Sequence, residues 1–116
     1  MEFLKAMEPV VEDCESTLRR FVGNEGLWER FVRKFPGDQA YQNICEATAE
    51  QDVERIIREA HTLKGIAANL GFDALSQAAS KMVEHGRHDQ PECFPKDLDE
   101  IRTEYDRVIE AIQQLD

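Results

Sequence analysis

Helix-breaking residues are scarce in this chain, with six glycines and four prolines among 116 positions. No segment of useful length alternates apolar and polar residues with a period of two, so half-buried strands are not expected. Met1 to Met7 holds charges and no long apolar core. A secretory signal and a transmembrane helix are therefore not expected, and a cytoplasmic location is. Cations are also few: 14 Lys and Arg stand against 24 Asp and Glu, a net charge of -10. A nucleic-acid surface needs clustered Lys and Arg, so nucleic acid is excluded as a partner, and an anionic membrane surface is disfavoured for the same reason. The three cysteines, Cys14, Cys45 and Cys93, are odd in number and widely spaced, which points to reduced, packed thiols.

What is present is helical periodicity almost throughout. A chain of this length fits one domain and buries roughly two-thirds of its unfolded surface. Val11, Cys14, Leu18 and Phe21 form a first stripe ended by Gly23, and Asn24 is placed to cap a second helix carrying Leu27, Trp28, Phe31 and Phe35 as core residues. Pro36-Gly37 stops it. Asp38 is placed to cap a third helix with Tyr41, Ile44, Cys45 and Thr48 at core spacing, and Gln51-Asp52 makes a break. Val53, Ile56, Ala60, Leu63, Ala67 and Leu70 then share one face of a long helix that Gly71 ends. Phe72, Leu75, Ala79 and Met82 mark the next helix, which fades at Gly86. His85 to Phe94 is the longest candidate loop. The last helix begins near Pro95, with Asp97, Asp99 and Glu100 suited to the helix dipole, and carries Leu98, Ile101, Tyr105, Val108, Ile112 and Leu115. The expected fold is all-α, an antiparallel four-helix bundle over about 38–115 with additional short N-terminal helices over about 3–35.

One polar face stands out. At about 100° per residue, His61 points about 140° away from the centre of its helix's apolar stripe and should meet water. Glu54, Ile57, Arg58, Lys64, Gly65 and Ala68 surround it, because residues three and four apart are surface neighbours. Lys64 brings a cation close, while Gly65 and Ala68 bring almost no side chain. A mid-helix glycine costs about 0.5–1 kcal/mol relative to alanine, and close approach by another molecule is a reason to keep one. Neutral imidazole has a free nitrogen lone pair near pH 7 and needs no base to act as a nucleophile. An exposed imidazole, a nearby ammonium and a cleared surface suit the handling of a phosphoryl group.

These residues resemble the histidine-containing phosphotransfer (HPt) domains, whose pattern is His-x-Leu-Lys-Gly, small residues, Leu-Gly and a further Leu. The matching positions are His61, Leu63, Lys64, Gly65, Ala67, Ala68, Leu70, Gly71 and Leu75, and the Arg20 to Glu25 segment resembles the family's entry into its second helix. The resemblance implies that Nε2 of His61 accepts a phosphoryl group from a receiver-domain aspartate and passes it to another receiver in a phosphorelay. Lys64 would stabilise phosphoryl charge and Gly65 would give access. Response-regulator receivers and a sensor or hybrid histidine kinase are the implied partners, and a monomer is expected. The aspartate and the Mg²⁺ would belong to the receiver. The chain has no cofactor of its own on this reading, no glycine-rich phosphate loop and no nucleotide site of the histidine-kinase type, so ATP-dependent kinase activity is not expected.

A receiver would dock through an apolar patch with a polar rim, for which Ile57, Arg58, Ala68 and Phe72 are candidates together with Ile66. One position departs from the pattern. Many relatives place Gln or Glu near the imidazole where this chain has Val83, which favours the relay type over the chemotaxis-kinase type and leaves open what orients the ring. Two other readings compete with the carrier. A non-catalytic helical adaptor would bind a receiver or kinase with His61 incidental. A metal protein would use His85, His88 and Cys93 as ligands, against which stands their ordinary place at a polar helix end, with no evident fourth ligand.

Overall fold

Side-chain caps start the helices where the sequence offers them. In the computed structural model, which describes residues 1–115, Asp13 Oδ1 accepts the Ser16 backbone N–H at 2.9 Å and Asn24 Oδ1 that of Leu27 at 3.0 Å. Asp52 Oδ1 accepts from Arg55 at 3.2 Å, so three otherwise unpaired helix-start donors are satisfied. The resulting helices are α1 (Phe3–Met7), α2 (Cys14–Arg20), α3 (Glu25–Lys34), α4 (Ala40–Ala49), α5 (Val53–Leu70), α6 (Asp73–Arg87) and α7 (Phe94–Gln113), with 3₁₀ turns at Phe35–Gly37 and Pro91–Cys93. No strand occurs among the described residues.

The fold is an all-α bundle. Helix α5 packs between α4 and α6, α7 packs on α6 and α4, α1 lies on α7, and α2 and α3 lie on α5. Ile56, Ala60, Leu63, Ala67 and Leu70 of α5 face the core, as do Leu75, Ala79, Met82 and Val83 of α6 and Ile101 and Val108 of α7. This is the period expected of helices that bury one stripe.

The N-terminal half departs from the sequence reading in its details. Trp28, Val32 and Phe35 form the buried line of α3, whereas Phe31, expected in the core, is 45% exposed; it lies about 100° round the helix from Val32. In α4 the buried line is Ala40, Ile44 and Ala47, which leaves Tyr41, Cys45 and Thr48 half-buried at its edge. Val53, the first residue of α5 and expected on its apolar stripe, is 38% exposed. The expected long loop is largely helical: α6 continues to Arg87, and the 3₁₀ turn leads straight into α7.

Gly71 closes α5 in the left-handed region, at φ +92°. Its N–H donates to the Ala68 carbonyl at 3.2 Å and the Phe72 N–H to the Ala67 carbonyl at 2.8 Å, the pairing of a Schellman cap. A Cβ on Gly71 would lie 2.6 Å from Thr17 Oγ1, so neither its backbone conformation nor its neighbour tolerates a side chain. The two remaining carbonyls are also satisfied. Arg20 donates to the carbonyls of Ala68 at 2.7 Å and Asn69 at 2.8 Å, and Trp28 Nε1–H donates to that of Leu70 at 3.0 Å. The N-terminal helices thereby fasten the C-terminal end of α5.

Candidate functional site

Eighteen residues of unbroken helix, α5, carry the motif residues from His61 to Leu70. Its outer face exposes Glu54, Arg58, His61, Thr62, Gly65 and Asn69, with Ile57, Lys64, Ile66 and Ala68 half-buried along its flanks. His61, Lys64 and Gly65 are therefore brought together as the spacing predicts. Among the described residues, neither nitrogen of His61, nor the Lys64 ammonium, nor the Arg58 guanidinium has a hydrogen-bond or ion-pair partner. Thr62 turns its hydroxyl back to the Arg58 carbonyl at 3.1 Å, so it leaves the imidazole alone. The ring is a nucleophile with an open approach, flanked by uncommitted cations one turn before and one turn after.

A Cβ built on Gly65 would meet nothing within 4 Å. Helix packing therefore does not account for this glycine, and the surface beside His61 is vacant. Ala68, one turn further, continues that shallow strip towards the fastened end of α5.

Two expected residues are placed elsewhere. Phe72, a docking candidate from the sequence, is fully buried with its ring 5.5 Å from that of Phe35. The cause is the cap that ends α5, since the residue after a left-handed glycine in a Schellman cap turns its apolar side chain back onto the helix. Val83 is likewise fully buried and presents nothing polar to the imidazole. Phe31 of α3 is instead the exposed aromatic near this end of α5. It borders a 240 Å³ hollow shared with Lys34, Phe35, Ile66, Asn69 and Leu70, and it lies 5.9 Å from the Phe21 ring. Its exposure could have been anticipated from Val32, whose place on the α3 stripe it disputes.

The residues of the metal reading are not assembled. His85 Nδ1 lies 2.7 Å from Asp97 Oδ2, joining α6 to α7, and His88 Nδ1 lies 2.7 Å from the Glu84 carbonyl. Among the described residues no group of three or more His, Cys, Asp or Glu could hold a metal ion. Asp97, read from the sequence as a first-turn carboxylate suited to the helix dipole, is 2% exposed; no local pattern announces a partner twelve residues away. Burial pushes the Cys14 thiol up from its ordinary value, with Glu8 and Asp13 adding to the effect, which keeps it protonated and a poor nucleophile. No helix among the described residues is long and apolar enough to cross a membrane.

A family model described as Hpt domain matches residues 2–111. No curated protein and no solved structure matches the chain.

Proposed function

The chain belongs to the Hpt domain family, whose members transfer phosphoryl groups through histidine in phosphorelays, and we propose that Nε2 of His61 is the acceptor and donor in this one. The observation that carries the reading is an exposed imidazole on α5, without a partner among the described residues, beside a glycine with open space around it.

In the proposed step the Nε2 lone pair attacks the phosphorus of a receiver's aspartyl phosphate in line. The N–P bond forms as the P–O bond to the aspartate breaks, and the carboxylate leaves with that electron pair. Nδ1 keeps its proton, so the phosphorylated ring is cationic until the proton is lost. Transfer to a second receiver runs the step in reverse. The transition state is loose, with charge spread over the phosphoryl oxygens, so positioning and electrostatics do most of the work. Lys64 stands one turn after His61 on α5 and supplies positive charge there. Arg58 supplies more on the opposite side. The receiver brings the aspartate and its Mg²⁺, and the chain needs no cofactor of its own.

Docking falls on the surface from His61 to the C-terminal end of α5. Gly65 and Ala68 allow the approach, Ile57 and Ile66 border the strip, and Phe31 extends it with apolar surface. A response-regulator receiver is the partner on this reading, with a sensor or hybrid kinase upstream.

Incubation with a phosphorylated receiver tests the proposal. The wild type should gain acid-labile phosphate and His61→Gln none, with melting temperatures that agree. A wild type that binds the receiver yet gains no phosphohistidine would instead be an adaptor.

A further inference from the structure

We propose that the Ser80 hydroxyl is the group across the helix seam that holds the phosphoryl on His61, an inference that rests on the carrier reading above. Two contacts fix the antiparallel register of α5 and α6. Ser76 Oγ donates to the Lys64 carbonyl at 3.0 Å, and a Cβ on Gly86 would lie 2.5 Å from Ile57 Cγ1. His61 lies between Ile57 and Lys64, and Ser80 lies between Ser76 and Gly86. At 1.5 Å of rise per residue, either contact places the two Cα atoms within about 3 Å of the same level along the helix axes.

Their directions agree as well. Ser80 is turned about 40° outward from Ser76 round α6, and His61 about 40° outward from Ile57 round α5, so both open onto the same surface of the seam. Val83, the next seam position, is buried and apolar.

The Ser80 hydroxyl is uncommitted. Thr48, Thr62 and Thr103 each donate to the carbonyl four residues back, at 2.7, 3.1 and 2.9 Å, whereas Ser80 has no partner among the described residues. No buried side-chain oxygen or nitrogen among those residues lacks a partner, so the Ser80 oxygen reaches solvent. Neither the ring nor the hydroxyl bonds the other in the unphosphorylated protein. Phosphorylation adds three strong acceptor oxygens to the ring edge, and these shorten the gap to a donor that has nothing else to bond. A hydrogen bond from Ser80 to the phosphoryl dianion is made while the N–P bond is intact and is lost as the departing group moves away from the ring along that breaking bond, so it slows hydrolysis.

Phosphoramidate, which phosphorylates exposed histidines without a receiver, provides the test. Phosphorus NMR would follow decay in wild type, Ser80→Ala and Ser80→Thr, with His61→Gln defining any signal from His85 and His88. The expected result is loss about fivefold faster in Ser80→Ala, near-wild-type decay in Ser80→Thr, and equal melting temperatures for the unphosphorylated proteins. Equal decay in wild type and Ser80→Ala would overturn the role of Ser80 alone. A wild type that takes no phosphoryl on His61 would overturn the carrier reading along with it.

Discussion

Alanine at position 65 would meet no atom within 4 Å, so Gly65→Ala should behave in the isolated protein as a plain gain in helix propensity. That gain is about 0.5–1 kcal/mol, or a melting temperature higher by about 3 °C. If a receiver occupies the space, the same methyl slows phosphoryl transfer, and stability and activity move in opposite directions. Thermal melts and transfer rates on one preparation check this, and a stabilised variant that transfers at the wild-type rate counts against Gly65 as an access residue. Arg58 and Lys64 differ from Gly65 in kind. They are cations with no partner among the described residues, and on the carrier reading they would be committed when charge arrives at His61.

Besides the surface pair Lys81–Glu100, helices α6 and α7 are linked by a polar contact of unequal members, His85 with a side chain 31% exposed and Asp97 with one 3% exposed. Losing the imidazole strands a carboxylate where water cannot replace the lost bond, whereas losing the carboxylate leaves a ring that water can reach. His85→Leu should therefore destabilise by about 3 kcal/mol and Asp97→Leu by about 1 kcal/mol, as urea unfolding would measure. The reverse order would mean that the contact is not a buried-acid clasp. This pair was not legible in the sequence, because it joins two helices through residues that each look like ordinary surface positions. Helix α5 was legible from Ile56 to Leu70, since eighteen residues give the 3.6-residue period room to declare itself, and with it came His61, Lys64 and Gly65. The shorter α3 and α4 give the period too few turns, so spacing alone does not separate Phe31 from Val32 or Tyr41 from Ala40, the buried neighbours one position away. Phe72 was misplaced because the reversal at Gly71 redirects the chain in a way that helical periodicity does not describe.

At the level of the whole molecule, an acidic protein presents two cations that lack a partner among the described residues, Arg58 and Lys64, one turn either side of His61, an arrangement that would orient the acidic pocket of the proposed receiver before contact. Alkali should find a different weakness. Burial raises the Tyr41 and Tyr105 hydroxyls above their ordinary value of 10.0 and the Cys14 thiol above 9.0. Each group binds its proton more tightly folded than unfolded, so its contribution is complete below those ordinary values and is lost as pH rises through the folded ones. Stability should hold through neutral pH and fall from about pH 9 upward, which melts across an alkaline series would show; a flat profile there would contradict it. The bond from Trp28 to the Leu70 carbonyl has an optical consequence. Trp28 is the single tryptophan of the chain, it is fully enclosed, and its indole is tied to the last residue of the helix that bears His61. Its emission is therefore a native fluorophore's record of that junction, shifting to the red when the N-terminal segments lift away even while circular dichroism still reports intact helices.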